Sequence, residues 1–590
     1  MIVKMKKLTL LCTRASRETT LDALRDLGVV HLTPVQPPAG NELDKARETL
    51  ASLKRVLTAL SGQSAAHSTG MPVQKIIDAV HELISQREVL TEQIDAQQQR
   101  VQRYQPFGSF SPETIRSLEA SGVYVTLAAL STKDINHIPD DIRLVELSRT
   151  KGTVYAALIS REKIDLDITV VLLPEESLDD MKVQLEQYKS RQENIRLELE
   201  ILAADRAAVA EFAAAEESRI RYLEARAGMG DEKDILYLYG FFPVRQEEEI
   251  SAAAGKNGWA VLVEEPAADD PVPTLLTDPK WMSLIKPVYR LIDVLPGYDE
   301  VDISGLFLVF LSIFYAFIVG DAGYGLLFIT ASLWAKFKFK KSRIAQMTVN
   351  LLILMSSCTV IWGVMNGSWF GIDLQFLPKP LQHITLPWLL GGGDADLVRT
   401  RVMLVCFTIG AIHLSIAHGW NLIRKLNSPT AVCDLGWLFT TWAFYFLALN
   451  LVIGIGELNI VLWTALGIGA GLITLGTILI KNYTGLITLA LDIVGNFTDI
   501  ISYVRLYAVG AASLAIAQAF NNMGADVNGA LPVVVGQLCG AFVIFIGHAL
   551  NITLAALSVL VHGIRLNTLE FSNHVGVQWG GVAYQPFRKD

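Results

Sequence analysis

Two apolar runs near the end of the chain, residues 484–523 and 531–566, constrain the fold more than any other feature. At ~1.5 Å per residue they make roughly 60 and 54 Å of helix, whereas a bilayer core is only ~30 Å thick. Helices of that length must tilt strongly or protrude. Strongly tilted helices can lie along a curved partner surface.

Arg505 sits within the first run, in Thr498-Asp499-Ile500-Ile501-Ser502-Tyr503-Val504-Arg505-Leu506-Tyr507. An arginine deep in an apolar helix costs at least ~2.5–3.5 kcal/mol on insertion scales. One reading is a side chain that snorkels to the headgroups. The other is a fixed positive charge on an ion or substrate path, and the apolar residues on both sides of Arg505 favour it. The second run carries Arg565 near its end, where snorkelling is easier. His548, Asn551, Ser558, His562 and Arg565 share one helical face, interrupted by Ala555. Interhelical hydrogen bonds would also explain that stripe. Asp492, Asn496, Thr498, Asp499 and Ser502 precede Arg505 on its cytoplasmic side, and the His548–His562 residues precede Arg565 on its outer side. Two polar tracks, one open to each face and each ending at an arginine, form the pattern of an interrupted ion path.

Hydropathy predicts eight spans, at about 303–319, 322–338, 346–368, 402–423, 432–454, 459–479, 484–523 and 531–566. The first two are joined by Gly320-Asp321-Ala322-Gly323-Tyr324-Gly325, read either as a tight turn or as the kink of one re-entrant element. Lys336, Lys338, Lys340, Lys341 and Arg343, then Arg424 and Lys425, Lys481, and Arg588 and Lys589 fall in loops on a single side. By the positive-inside rule that side is cytoplasmic, together with both termini. The loop at 371–401 then faces outward. No apolar stretch followed by a cleavage site opens the chain, so residues 1–295 are expected to be a cytoplasmic domain and 296–590 a membrane domain.

The first half is rich in Glu, Lys, Arg and Gln. Lys6–Cys12, Thr19–Leu27 and Gly28–Leu32 read as strand, helix and strand. A 3/4 apolar repeat then runs from Leu43 to Tyr104, broken by a Ser/Gly/His stretch after Leu60, and returns from Leu178 to Leu223. Such a repeat is the signature of a coiled coil. The arms, about 43–104 and 178–224, are predicted to pair antiparallel between small α/β lobes, with Ser177 as N-cap of a return arm roughly 70 Å long. Strands are expected at Val123–Ala129, Val145–Glu146, Thr153–Ile159 and Asp167–Leu173, with two more at Ile235–Phe242 and Trp259–Glu264. The lobe that takes the last two is left open.

A mean hydropathy of +0.36 and 51% hydrophobic residues fit a membrane protein with one polar half, and a net charge of −9 argues against nucleic-acid binding. The five cysteines form no CxxC, so neither a disulfide framework nor a metal site is expected. There is no phosphate-binding loop, dinucleotide turn or nucleophile elbow. No cofactor and no catalytic residue is predicted.

These residues resemble the I subunit (subunit a) of V/A-type rotary ATPases, the prokaryotic relatives of the vacuolar proton pump. The resemblance covers essentially the whole chain. Its most specific parts are Ser502-Tyr503-Val504-Arg505-Leu506 and Val561-His562-Gly563-Ile564-Arg565-Leu566 followed by Glu570-Phe571. Gly547-His548 with Asn551, the Gly320–Gly325 turn, Gly363–Gly371, Asp270-Pro271-Val272-Pro273-Thr274 and Tyr584-Gln585-Pro586-Phe587 add to it. The resemblance implies a non-catalytic stator subunit in the cell membrane. Its partners would be a ring of c subunits, peripheral stalks, a central-stalk cap and, indirectly, the soluble ATPase head. Arg505 would face a ring carboxylate, with Arg565 as its companion and His562 in a half-channel, and Ser502, Asp499, Asp492, Ser558, Asn551, His548 and Glu570 would belong to the ion path. Ions, H⁺ or Na⁺, would bind the ring carboxylate from one half-channel and leave by the other, Arg505 favouring the ionised form by Coulomb attraction. Vacuolar forms carry a glutamate where this chain has Ala555 and a histidine where it has Ser513, so the outer half-channel must be built differently here. A secondary transporter would instead show inverted repeats, and no self-similarity between spans 1–4 and 5–8 is evident. A tethered coiled-coil scaffold would leave both arginines unexplained.

Overall fold

A computed structural model describes residues 2–61, 70–131, 135, 138–139, 141–150, 152–163, 168–277, 279–340, 342–390, 394–457, 460–481 and 483–589. The Ser/Gly/His break at 62–69, Asp167, Lys341, residue 459 of the sixth expected span and part of the expected outer loop lie outside these residues. The chain divides into two compact units, Met1–Leu8 with Gly240–Ala252 and Leu262–Pro586, and Thr9–Tyr239 with Ala253–Val261 and Phe587–Asp590.

In the second unit, the seam residues meet in antiparallel order. Leu43 and Ala46 pack with Ile220 and Leu223, Leu53 and Ile76 with Ile195, Leu199 and Val209, and Ile94 and Tyr104 with Leu178 and Leu185. The helices are Asn41–Ala59 and Val73–Tyr104 going out, Leu178–Leu202 and Arg206–Ala227 returning. The return arm, expected to be continuous, is divided by a 3-10 turn at Ala203–Asp205. Gln97, buried on the seam, donates to the Met181 carbonyl and to Gln184 Oε1, so the polar position is satisfied. Ser177 Oγ accepts from Asp180 N at 3.2 Å, an N-cap that begins the return helix where the sequence predicts it.

Between the arms, strands Arg143–Thr150, Thr153–Ser160, Tyr124–Ser131 and Val170–Val171 form an antiparallel sheet in that order. The Arg143–Thr150 strand is longer than the two residues expected. Pairing with 153–160 extends it across a bulge between Glu146 and Ser148, a register effect that propensity does not encode. The other sheet orders His31–Thr33, Ile235–Pro243, Met5–Thr13 and Ala260–Glu264, with Gly230–Glu232 pairing on Ile235–Pro243. The two late strands therefore join the N-terminal lobe.

Six helices among the described residues are long and apolar enough to cross a membrane, not eight: Arg343–Asn366, Ala395–Arg424, Thr430–Ile453, Ile460–Leu479, Tyr483–Ala530 and Val533–Val575. The first two expected spans are separate helices of 16 and 17 residues, Ser304–Val319 and Ala322–Lys338, below the ~20 residues that cross a bilayer upright. The turn between them is tight. Gly320 takes φ +70°, and Asp321 caps the second helix by accepting from Gly323 N and Tyr324 N. Asp321 Oδ2 also accepts from Ser368 Oγ and Gly371 N, so two glycine-rich motifs far apart in sequence meet on one carboxylate. A Cβ on Gly363 would lie 2.2 Å from Ala322 N, which explains a glycine where the backbones touch.

The seventh expected span is interrupted. Tyr483–Ser502 ends and Val504–Ala530 begins at Tyr503, two residues before Arg505. The eighth runs beyond the expected 566. After Val533–Ser558 it passes through π-helical turns at Val559–Gly563 and Leu566–Phe571 and ends at Val575. Each π-turn widens the helix by one residue per turn, and such turns cluster at functional sites. The end is secured by Trp579, whose Nε1 donates to Thr568 O while its ring packs on Tyr289 and Phe307. Thr274 N then donates to Val582 O, and Tyr584 N to Thr274 O, pairing the proline-rich linker with the C-terminal motif.

Candidate functional site

Tyr503 sets the break beside Arg505. Its ring is fully buried against Gly410, where a Cβ would lie 2.6 Å away. Its hydroxyl is 2.8 Å from Nδ1 of the buried His413, which stacks between Phe310 and Phe571. Arg505 thus lies in the first turn of the new helix, which begins at Val504. Arg505 Nη2 donates to Glu570 Oε1 at 2.9 Å, and Arg565 Nε lies 3.6 Å from the same oxygen. The Glu570 side chain is 4% exposed, that of Arg505 25% and that of Arg565 53%. Arg505, expected to be a fixed positive charge, is paired with a carboxylate of the same chain. The apolar surroundings explain the pairing, because an unpaired buried charge is far costlier than a paired one. Arg565 Nε falls just beyond hydrogen-bond range but within Coulomb reach.

The track preceding Arg505 opens into a cleft of about 490 Å³ lined by Asp492, Asn496, Asp499, His418, Asp434 and His574 among others. His574 Nε2 donates to Asp499 Oδ2 at 3.0 Å. The buried His418 lies edge-on to His574, ring centroids 4.9 Å apart, with its Nδ1 3.8 Å from Asp434 Oδ1. Lys425 Nζ is 3.9 Å from the other Asp434 oxygen. Asn421 Nδ2 donates to the carbonyls of His574 and Val575, holding the helix end over the cleft. Asp492 is exposed and accepts from Thr488. Ser502 is buried, but its hydroxyl donates to the Asp499 carbonyl rather than to the cleft.

The other track divides. His548 and Asn551 join a polar network that the sequence did not reveal. Asn521 Nδ2 donates to Phe370 O, so its Oδ1 accepts from His548 Nε2 at 3.1 Å. His548 Nδ1 then accepts from the Tyr324 hydroxyl, 2.6 Å away. Asn551 Nδ2 donates to that hydroxyl and to Ser513 O. Ser513 therefore contributes its backbone carbonyl to the network. Ala555 is buried in apolar packing. Ser558 and His562 are half-buried near the first π-turn, and His562 Nδ1 has no hydrogen-bond partner among the described residues. A second cleft, about 520 Å³, is lined by Asp321, Tyr324, Ser368, Arg399, Ser513 and Gln518 among others. Among the described residues no group of His, Cys, Asp and Glu could hold a metal ion.

Sequence reasoning missed His413, His418, Asp434, His574 and Tyr324. The first three were visible as ionisable residues inside apolar spans, which mark functional positions by default. Their partners were not visible, because they come from helices distant in sequence.

No family model matches the chain. It is similar over 100% of its own length and 100% of theirs to V-type ATP synthase subunit I 1 of Treponema pallidum, 29% identical over 637 residues, and to V-type ATP synthase subunit I of Borreliella burgdorferi, 28% identical over 630 residues. A-type ATP synthase subunit I of Methanocaldococcus jannaschii is 26% identical over 457 residues, covering 70% of this chain and 64% of the relative. A solved crystal structure of the cytoplasmic N-terminal domain of subunit I, homolog of subunit a, of V-ATPase matches 44% of this chain and 99% of that one at 14% identity with a TM-score of 0.23, too low to support a comparison of folds.

Proposed function

Proceeding from this full-length similarity to subunit I of V-type and A-type ATP synthases, we propose that the chain is the ion-conducting stator subunit of a rotary ATP synthase or ATPase. The observation that carries the reading is the convergence of Arg505 and Arg565, from two long apolar helices, near two clefts. One is mostly polar, and the other is mostly apolar with Asp321, Tyr324, Arg399 and Gln518 in its wall. In this reading the ring of c subunits slides past Arg505. An ion, H⁺ or Na⁺, reaches a ring carboxylate through one cleft, travels round with the ring in lipid and is released where Arg505 favours the bare carboxylate. The cleft at Asp492, Asp499 and His574 serves the cytoplasmic side. The Tyr324, His548 and Asn551 network, with Ser558 and His562, serves the other. Arg505 between them blocks a direct leak.

The remaining assignments follow from the same reading. Residues 1–295 form a cytoplasmic strut that meets the peripheral stalks and the central-stalk cap, and 296–590 form a multi-pass region with both termini cytoplasmic. There the two short helices complete eight spans. ATP chemistry resides on other subunits. The test is ATP-driven ion uptake by assembled complexes in vesicles. Arg505→Ala abolishes uptake, and Arg505→Lys nearly does, because an ammonium lacks the planar fork that engages carboxylates by two edges. Uptake by Arg505→Ala at the wild-type rate would overturn the assignment.

A further inference from the structure

Glu570, expected among the ion-path residues with no particular task, is the residue on which both arginines converge. We infer that Glu570 is the internal counter-ion of the translocation site. It fixes Arg505 by one edge of the guanidinium and leaves the two arginines with one net positive charge, matched to one ring carboxylate. The inference rests on the stator reading.

Three observations carry it. Glu570 is nearly fully buried, and among the described residues only its Oε1 has a partner, 2.9 Å from Arg505 Nη2 and 3.6 Å from Arg565 Nε. Arg505 is only half engaged. Its Nη2 is committed to Glu570, whereas the buried Nη1 has no hydrogen-bond partner among the described residues. A planar guanidinium can serve two carboxylates by different edges, so Arg505 can keep Glu570 and take a second carboxylate. Both local backbones are also irregular where they meet: the break at Tyr503 begins the Arg505 helix, and the π-turn Leu566–Phe571 contains Glu570.

The charge count gives this a purpose. With Glu570 ionised, the three groups carry a net charge of one. Without it they carry two, and a ring carboxylate opposite them holds its ionised form too firmly to reload readily. Without Arg565 but with Glu570 they carry none, and ion release loses its driving charge. A purely structural salt bridge has no such dependence on total charge.

The experiment uses the whole complex in vesicles, with ATP-driven uptake measured against ion concentration for Glu570→Gln, Arg565→Gln, the double variant, Glu570→Asp and Arg505→Ala. Glu570→Gln is expected to raise the half-saturating ion concentration about tenfold, the equivalent of one pKa unit at the ring site. Arg565→Gln lowers the maximal rate. The double variant, again with one net charge, surpasses both single variants, and Glu570→Asp retains most of the wild-type ion dependence. A double variant no better than Glu570→Gln, or an unchanged ion dependence in Glu570→Gln, overturns the counter-ion role. If Glu570→Gln fails to assemble, recovery of assembly in the double variant supports the role and continued failure overturns it. Arg505→Ala separates the two levels: wild-type pumping by that variant sinks the stator reading, whereas its inactivity alongside failed compensation sinks only the role of Glu570.

Discussion

Replacing Arg505 by alanine has two consequences, and the geometry separates them. The first is on stability. Removing one partner of a buried ion pair costs ~3–5 kcal/mol. Arg505 is one quarter exposed, and Glu570 keeps Arg565 at 3.6 Å, so the lower end, about 3 kcal/mol, is expected. That is a large share of the ~5–15 kcal/mol by which folded domains are stable. Adding Glu570→Gln removes the stranded charge and leaves a buried amide, whose unmade hydrogen bonds cost ~1–3 kcal/mol. The double variant should therefore recover up to about 2 kcal/mol relative to Arg505→Ala, and about 1 kcal/mol at the middle of that amide cost. The second consequence is on transport, and it does not recover, because the cation that favours the ionised ring carboxylate is absent from both variants. The assay is chemical unfolding in mixed micelles followed by tryptophan fluorescence, beside ion uptake on the same preparations. A double variant as unstable as Arg505→Ala refutes the claim that Glu570 is stranded by the mutation. Restored transport in the double variant refutes the claim that the arginine acts through its charge.

Two further outcomes are expected. In a cysteine-free background, a cysteine at Asp394 reacts with an impermeant reagent added outside intact cells and one at Lys589 is protected; the reverse pattern would overturn the assignment of the clefts to membrane sides. Leu199→Pro removes a helical hydrogen bond in the return arm, at a cost of ~3 kcal/mol or more, and withdraws a buried leucine from its contacts with the outgoing arm. ATP hydrolysis should continue while ion uptake per ATP falls, and tight coupling despite a demonstrably broken arm would exclude a load-bearing strut.

The 3/4 repeat located the paired helices, because a seam is a local property: each turn must bury the same face wherever its partner lies. Gln97 and Leu199 could be placed on that seam from sequence alone. Hydropathy located the apolar helices for the same reason, and the cost of charge in lipid singled out Arg505. Local rules stop at the irregularities. No proline or glycine marks a stop at Tyr503 in the seventh run, and the break there coincides with the buried Tyr503–His413 contact, 90 residues apart in sequence. The π-turns extend the last helix past 566 and turn Glu570 inward, which a 3.6-residue period does not anticipate. Helical period says which residues share a face but not which helix that face meets. Hence the pairing of Arg505 with Glu570 and the meeting of His418, Asp434, Asp499 and His574 were decided only by tertiary packing, where burial in an apolar interior forces each charge to find a partner.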